Sequence, residues 1–303
     1  MTSLAGITVI GGGLMGHGIA QVFALAGHRV RVQDPAAEIL ATLQERIRRN
    51  LVDLGDDPAA AERVTGHADL AEAVAGADVV FEAGPENLAI KRNIFAAIEA
   101  AAPRGAILAS NTSVIPITQI MSGLQHGDRA LGTHWWNPPY LVPLVEVIKT
   151  PATGAAAVAA VSALLQAVGK TPVTVEKDVP GFVGNRLQHA LWREAMALVA
   201  NGICDAETVD TVVKASFGRR LAVLGPLENA DLVGLDLTRA IHETVLPDID
   251  RTPGPLPILG ELIAAGRLGM KSGEGFRSWT PEEQAALRRR VLAHLKSLKE
   301  QGI

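Results

Sequence analysis

A histidine and a carboxylate that suit proton transfer lie twelve positions apart, at His134 and Glu146. A histidine that moves a proton near neutral pH needs an orienting partner, and a carboxylate is the usual one. Pro138 and Pro139 lie between the two residues, so they do not share one helix. A core histidine beside an unrelated surface glutamate is the alternative, and the pair alone does not exclude it. The rest of the chain favours proton transfer because it supplies a site for a dinucleotide.

A glycine-rich segment, Gly11-x-Gly13-x-x-Gly16, joins the first predicted strand to the first predicted helix. In such a segment the first glycine allows a tight turn, the second lets the backbone approach a pyrophosphate, and the third lets helix and strand pack closely. The helix N-terminus, around Leu14 and Met15, then offers its free N–H groups to the phosphates. The spacing alone is a weak signal, but its position between a strand and a helix favours a dinucleotide-binding loop.

Asp34 ends the second predicted strand, downstream of the glycines by about the 20 residues expected for a ribose-binding carboxylate. A carboxylate there accepts hydrogen bonds from both ribose hydroxyls and repels a 2′-phosphate, which favours NAD over NADP. The alternative is a turn residue before Pro35. With NAD bound, His134 would take the proton of a substrate alcohol as hydride leaves its carbon, and Glu146 would orient the ring.

The order of the predicted elements indicates an α/β fold: a doubly wound Rossmann domain followed by an all-helical C-terminal domain. We place the first domain at residues 1–180 and the second at 181–303, because strand-like runs end near residue 180. The predicted strands are 7–10, 29–33, 77–81, 106–109, 130–134, 144–148 and 171–175. The predicted helices are 14–26, 91–101, 155–168, 185–201, 205–217, 227–246, 258–267 and 281–303.

Composition narrows the function class further. A formal net charge of −4 gives no footprint for nucleic acid or an anionic membrane. Cys204 is the only cysteine, which favours a reducing compartment, and with no signal-like or membrane-spanning segment we expect a cytoplasmic protein. The eight histidines and the cysteine show no metal-ligand spacing. The partner we expect is a small-molecule substrate.

Six segments, in order along residues 5–279, resemble those of the L-3-hydroxyacyl-CoA dehydrogenase family. They are Gly11 to Gly16, Pro85-Glu86-Asn87, Ser110-Asn111-Thr112-Ser113, His134-Trp135-Trp136-Asn137-Pro138, Pro180 to Arg186, and Lys271 to Phe276. The resemblance implies a Rossmann domain that binds NAD and a helical domain that forms a homodimer.

The resemblance also implies roles for individual residues. His134 and Glu146 match the catalytic dyad, Ser113 the hydroxyl that binds the substrate oxygen, and Asn185 the amide beside the histidine. Residues that match NAD-contacting positions are Glu86, Lys91, Asn137 and Lys271.

Four of these positions have structural alternatives. Ser113 is also suited to cap a helix near Pro116, and Asn185 to cap the long helix that follows it. Lys91 is also suited to a solvated helix face, and Lys271 lies in a glycine-rich turn that needs no further explanation.

The segment after Asp34 departs from the family pattern. The family's fatty-acyl enzymes carry a long basic helical arm there that grips CoA; here the segment is shorter and includes the acidic residues Asp53, Asp56, Asp57 and Glu62. The cluster of Arg46, Arg48 and Arg49 is the remaining candidate for a CoA phosphate.

The substrate side departs as well. Trp135-Trp136 replaces a smaller aromatic pair, and residues 138–144 are similar to relatives that act on free acids, namely gulonate and carnitine dehydrogenases and a dehydrogenase of a pyridine carboxylate pathway. The helix after residue 281 resembles an extension of the last of these.

From the resemblance we predict the first of the following three functions and keep the other two as alternatives. The first is NAD-dependent oxidation of the 3-hydroxyl of an L-3-hydroxyacyl-CoA, such as 3-hydroxybutyryl-CoA, to the 3-keto compound in fatty acid metabolism. The second is oxidation of a small non-CoA hydroxy acid of the gulonate, carnitine or pyridine-carboxylate type. The third, of another class, is a non-catalytic NAD-binding role like that of a lens crystallin in the family.

Overall fold

The computed structural model describes residues 5–301 and divides the chain into two compact units, Met1–Arg186 and Leu187–Ile303. The first unit contains a single eight-stranded sheet with helices between its strands. Its strands are β1 (Ile7–Ile10), β2 (Val30–Gln33), β3 (Val64–His67), β4 (Val79–Glu82), β5 (Ile107–Ser110), β6 (Ala130–Trp135), β7 (Leu144–Ile148) and β8 (Thr171–Val175).

The helices α1 to α8 begin in the first unit, and α8 continues into the second. They are α1 (Leu14–Leu25), α2 (Ala37–Ala41), α3 (Leu43–Leu54), α4 (Leu70–Val74), α5 (Leu88–Ala101), α6 (Ile117–Ile120), α7 (Ala155–Ala167) and α8 (Gly184–Ala200). The second unit adds α9 (Ala206–Ala215), α10 (Pro226–Val233), α11 (Leu235–Val245), α12 (Pro257–Ala264) and α13 (Pro281–Gln301).

The sheet has the strand order β3-β2-β1-β4-β5-β6-β7-β8. All neighbouring strands are parallel except β6 and β7, which are antiparallel. The order runs outward in both directions from β1 and β4, which makes the sheet doubly wound, as predicted. In such a sheet ligands bind beyond the carboxyl ends of the strands, at the point where the order reverses. That point lies beside the glycine-rich segment after β1.

The central strands are buried on both faces, which explains why β1 and β4 are short, mostly apolar runs without alternation. Phe23 of α1 stacks on Phe81 of β4 at a ring-centroid distance of 5.1 Å, and both meet the edge of Trp135 at 6.0 and 5.9 Å. This aromatic cluster fixes α1, and with it the glycine-rich segment, against the middle of the sheet.

The structure differs from the predicted elements in three places. The segment after Asp34 contains four elements that were not predicted: α2, α3, α4 and the short strand β3, which is half polar and lies at the sheet edge. The loop after β5 contains the short helix α6, which was not predicted either. The predicted helix 227–246 is two helices, α10 and α11, because Gly234 has a φ of 102° and ends the first of them. Positions 302 and 303 of the predicted last helix lie outside the described residues.

Within residues 5–301, none of the helices combines the length and the apolar character needed to cross a bilayer.

Candidate active site

His134 and Glu146 are directly opposite each other on the antiparallel strands β6 and β7. Their side chains lie on the same face of the sheet, and Nδ1 of His134 is 2.7 Å from Oε2 of Glu146. Both side chains are buried, with exposed fractions of 4% and 1%. The twelve residues from His134 to Glu146 therefore form a β6–β7 hairpin connection that places the two side chains opposite each other.

The second oxygen of Glu146 accepts hydrogen bonds from the backbone N–H groups of Val183 and Gly184, at 2.9 and 3.0 Å. These N–H groups lie at the start of α8 and follow two residues with left-handed backbone, Gly181 at φ 75° and Phe182 at φ 51°. A turn of this kind aims successive N–H groups at one anion. The carboxylate is thus fixed from both sides, by the ring and by the helix N-terminus.

Burial alone would raise the pKa of Glu146, but the hydrogen bonds from His134, Gly184 and Val183 outweigh it and hold that pKa below its ordinary value. Glu146 is therefore a carboxylate at neutral pH and accepts the Nδ1–H of the ring. In the neutral ring Nδ1 then carries the hydrogen, and Nε2 has the lone pair that can take a proton.

Ser113 and Asn185 approach each other through one hydrogen bond. The side-chain amide of Asn185 donates to the backbone carbonyl of Ser113 at 2.8 Å. Asn185 is the second residue of α8, and Ser113 is exposed in the loop after β5. The helix near Ser113, α6, begins after Pro116 without a side-chain cap, so Ser113 is not its capping residue.

Two aromatic rings flank the His134 imidazole. The ring centroid of Trp136 lies 5.1 Å away, and that of Phe182 lies 5.6 Å away. A side-chain carbon at Gly184 would collide with the Trp136 ring, so only glycine fits at the start of α8. Trp135 lies in the aromatic cluster of the core, so the two adjacent tryptophans face different environments.

The glycine-rich segment has the geometry that a dinucleotide needs. Gly11 has a φ of 96°, and a side-chain carbon there would lie 2.7 Å from the carbonyl oxygen of Ala83. A side chain at Gly16 would collide with the carbonyl of Gly11. Beside Gly13, in contrast, no atom lies within 4 Å of where a side-chain carbon would be, which leaves room for a ligand at the N-terminus of α1. Leu14 is exposed there, and Met15 packs against the core.

Asp34 is buried at the end of β2 and holds the glycine-rich segment from one side. One carboxylate oxygen accepts the Gly12 N–H at 2.8 Å, and the other accepts the Ala36 N–H at 2.9 Å. The second bond is the turn contact that was the alternative to ribose binding. Each oxygen keeps a further lone pair, so the turn role does not exclude a ribose hydroxyl.

Glu86 binds the loop after β5 through one oxygen. That oxygen accepts from the Thr112 hydroxyl at 2.5 Å and from the N–H groups of Ser113 and Val114 at 3.0 and 3.2 Å. Its other oxygen, Oε2, lies 3.8 Å from Nζ of Lys91, and its side chain is 39% exposed. Glu86 therefore positions the segment that contains Ser113 and links it to Lys91; its contact with the cofactor stays a prediction.

Lys91 is fully buried, so the solvated helix face is excluded. Its ammonium donates to both oxygens of Glu82 at 2.8 and 3.0 Å and to the carbonyl of Asn111 at 3.2 Å. Glu82 also accepts from the Ser110 hydroxyl at 2.8 Å and the Gly84 N–H at 2.7 Å. Sequence reasoning missed Glu82, although a carboxylate that ends an otherwise apolar strand is a detectable signal. The pair joins the carboxyl ends of β4 and β5, where the site lies.

The remaining predicted contacts lie in exposed segments. Asn137 is exposed beyond β6, next to Trp136. Lys271 is exposed in a turn of the second unit, between the bridged residues Gly269 and Glu274. Its role at the cofactor stays a prediction.

Two family models match almost the whole chain. The NAD-binding domain of 3-hydroxyacyl-CoA dehydrogenase matches residues 6–179, and the C-terminal domain of 3-hydroxyacyl-CoA dehydrogenase matches residues 181–279. The chain belongs to the 3-hydroxyacyl-CoA dehydrogenase family. It is thus an NAD-dependent oxidoreductase of the type that acts on CH–OH groups, and the predicted family, fold class and cofactor are confirmed.

Individual relatives divide between CoA and non-CoA substrates. The chain is 37% identical to a 5-formyl-3-hydroxy-2-methylpyridine 4-carboxylate 5-dehydrogenase of Mesorhizobium japonicum, with 93% of both chains covered. The crystal structure of an enzyme of that name, described as an NAD⁺-dependent dismutase, matches with a TM-score of 0.91 and 34% identity over 99% of this chain and 98% of that one. A (S)-3-hydroxybutyryl-CoA dehydrogenase from Ralstonia eutropha matches with a TM-score of 0.75 and 33% identity over 92% of this chain and 100% of that one.

Proposed function

We propose that this member of the 3-hydroxyacyl-CoA dehydrogenase family oxidises the hydroxyl of a small acid that is not a CoA thioester. The observation that carries the proposal is the state of the basic residues on α3. Arg46 donates to the backbone carbonyls of Gly12 and Ile39 at 2.9 and 3.0 Å, and Arg48 pairs with Glu45 at 3.1 Å. One of the three arginines suited to a CoA phosphate is therefore engaged within the protein, and the charge of a second is offset by a glutamate on the same helix.

The charge around α3 supports the same proposal. Asp53 follows the arginines on the same helix, and Asp56 and Asp57 come directly after it. Burial raises the pKa of Tyr140, in the loop after β6, and the negative charge of Asp53 raises it further. Negative charge at this position opposes the phosphates of CoA.

The C-terminal helix is a third observation in favour of a free acid. α13 begins at Pro281, beyond the last residue of the family's C-terminal domain model at 279. The pyridine carboxylate dehydrogenase structure matches 99% of this chain, whereas the 3-hydroxybutyryl-CoA dehydrogenase matches 92%. The two identities are nearly equal, but the TM-scores, 0.91 for the pyridine carboxylate enzyme and 0.75 for the CoA enzyme, favour the free acid.

In the proposed reaction His134 acts as the base. NAD, when bound, supplies the acceptor for the hydride that leaves the substrate carbon. Nε2 of His134 takes the hydroxyl proton, and the carboxylate of Glu146 stabilises the imidazolium that results. The hydroxyl of Ser113 would donate to the substrate oxygen. In the reverse direction His134 returns the proton to the carbonyl oxygen.

Trp136 gives the substrate site a polar donor. Its ring lies against His134, and its indole N–H has no hydrogen-bond partner among the described residues. The Trp135 indole also lacks a partner there, but it lies in the aromatic core. An indole is a donor only, so a carboxylate or carbonyl oxygen beside the reacting carbon would satisfy that of Trp136.

The test measures NADH oxidation by the purified protein with acetoacetyl-CoA and, in parallel, with free 3-keto acids and aromatic aldehyde acids. We expect turnover with a free acid and none with the thioester. Fast turnover of the thioester alone would overturn the proposal.

The second candidate is an L-3-hydroxyacyl-CoA, such as 3-hydroxybutyryl-CoA. It is favoured by the 33% identity to the 3-hydroxybutyryl-CoA dehydrogenase and by Arg49, which is exposed on α3. If CoA binds at α3, the R49M substitution will raise KM for acetoacetyl-CoA and leave KM for a free keto acid unchanged.

We further propose that the protein is a homodimer that forms through its second unit, and that it is cytoplasmic. The second unit exposes many large apolar side chains, which monomeric proteins seldom do on this scale. They include Leu187, Leu191, Trp192, Leu227, Leu232, Leu235, Leu237 and Ile241. Light scattering of the purified protein will give the mass; a monomer at micromolar concentration would contradict the dimer.

A further inference from the structure

Side chains of α1 and α3 bind the carbonyl groups of the glycine-rich segment. Nη2 of Arg46 donates to the carbonyl oxygen of Gly12 at 2.9 Å. Nδ1 of His17 lies 2.7 Å from the carbonyl oxygen of Gly13. The family's glycine spacing predicts neither contact, because it concerns only the room around the backbone.

The two side chains belong to one network that also fixes their own orientation. Asn50 of α3 donates through Nδ2 to Oε1 of Gln21 at 3.1 Å and lies 3.3 Å from Nε2 of His17. Nε2 is therefore the acceptor, and Nδ1–H of His17 donates to Gly13. Burial, and also the charges of Arg46 and Arg49, lower the pKa of His17, so the ring is neutral at physiological pH, as this tautomer requires.

The planarity of the peptide bond links these contacts to the opposite side of the segment. In a trans peptide the carbonyl of one residue and the N–H of the next point in opposite directions. When Arg46 holds the Gly12 carbonyl, the Gly13 N–H points away from α3. The Gly13 carbonyl accepts both the Nδ1–H and the backbone N–H of His17, at 2.7 and 3.2 Å, so the Leu14 N–H points away from the body of α1. These are the first donors of α1, which lack partners within the helix and suit an anion.

We propose that Arg46 is a positioning residue that orients the Gly13 N–H toward the pyrophosphate of NAD. The His17 side chain adds a second hydrogen bond to the Gly13 carbonyl, which the first turn of α1 already holds. Asp34 accepts the N–H of the preceding peptide, that of Gly12, at 2.8 Å. Three successive peptide groups, 11–12, 12–13 and 13–14, therefore each have a hydrogen bond to a side chain. Gly13, which has open space beside it, lies at the centre of this arrangement. Through Arg46, helix α3 thus supports the cofactor-binding segment.

The test compares R46M with R48M, the same substitution two positions along the same helix. NADH binding is measured by fluorescence titration, and ADP and adenosine are measured as competitors. We expect the R46M substitution to lower the affinity for NADH and for ADP by roughly tenfold, which is the loss typical when a charged hydrogen-bond donor is removed. Adenosine, which has no phosphate, should bind as before. R48M should change each affinity by less than about twofold, since exposed ion pairs contribute little.

Two outcomes would overturn the proposal. One is unchanged NADH and ADP affinity in a folded R46M protein. The other is equal weakening of ADP and adenosine, which would indicate general damage to the site rather than misdirected N–H groups. If R46M does not fold, R46K is measured instead: its ammonium reaches fewer carbonyls, so ADP should weaken more than adenosine. In folded R46M, KM for NAD should rise far more than the turnover number falls.

Discussion

Two buried carboxylates of the sheet, Glu82 and Glu146, each face a basic side chain, and the comparison separates structural from chemical roles. The Lys91 ammonium has four acceptor atoms within 3.4 Å, and both oxygens of Glu82 receive further donors. In the second pair Glu146 is also satisfied, but Nε2 of His134 has no hydrogen-bond partner among residues 5–301. A buried pair whose atoms are all bonded stabilises the fold, whereas one that leaves a reactive atom free can do chemistry.

The largest effect is expected at that free atom. The H134Q substitution removes the base while it keeps a polar side chain of similar size. Turnover should fall by roughly a thousandfold, within the range that a general base contributes. NADH affinity should stay near that of the wild type, since the cofactor segment is held by other residues. Steady-state kinetics and a fluorescence titration check the two parts; wild-type turnover in H134Q would show that another group is the base.

Substitutions in the Glu82–Lys91 pair should change the free energy of unfolding. K91M leaves the Glu82 charge buried without its partner, which costs about 3–5 kcal/mol of unfolding free energy. The double variant E82Q/K91M removes both charges and should regain a large part of this loss. Chemical denaturation measures all three proteins. If the double variant is no more stable than K91M, the buried charge is not the cause.

The same variant tests the role predicted for Lys91 at the cofactor. In the structure its ammonium is directed to Glu82, to backbone carbonyls and, at 3.8 Å, to Glu86, and it is buried from solvent. A folded K91M protein that has lost NADH affinity far beyond its loss of stability would favour direct contact with NAD.

The His134–Glu146 pair could be predicted from the sequence more fully than the Glu82–Lys91 pair. The His134–Glu146 pair was predictable because a histidine and a carboxylate flank a proline-rich turn, and β6 and β7 form the hairpin that brings them together. The hydrogen bonds from Val183 and Gly184 to Glu146 were not, since they depend on two left-handed residues whose backbone angles no sequence pattern specifies. Likewise, the position of Lys91 could be identified, but its burial depends on a partner nine residues away on another element.

Substitution of Glu146 should have an intermediate effect on turnover and should change how stability depends on pH. Glutamine has one acceptor oxygen and cannot bind both the His134 ring and the helix N-terminus, so E146Q should lower turnover by about 10- to 100-fold. The pKa of Glu146 is lowered on folding, so its charged form stabilises the fold above the ordinary carboxylate pKa. That stability is lost as the pH falls through the lowered pKa.

Acid unfolding gives the second measurement for Glu146. Wild type and E146Q are compared by denaturation at neutral pH and at a pH below the ordinary carboxylate pKa. The stability difference between the two proteins should shrink on acidification. A difference that is constant across this range would mean that Glu146 does not titrate with folding.

The smallest effect is expected at Trp136, whose ring lies beside His134. Its substitution tests whether substrate binds on the Nε2 side of His134. W136F removes the indole N–H next to His134, and W135F makes the same change in the aromatic core. W136F should raise KM for an acid substrate by up to about tenfold, the value of one hydrogen bond to a charged acceptor, with little change in stability. W135F should instead lower the melting temperature and leave KM near wild type. If both variants change only stability, Trp136 is a packing residue and the substrate is recognised by other groups around His134.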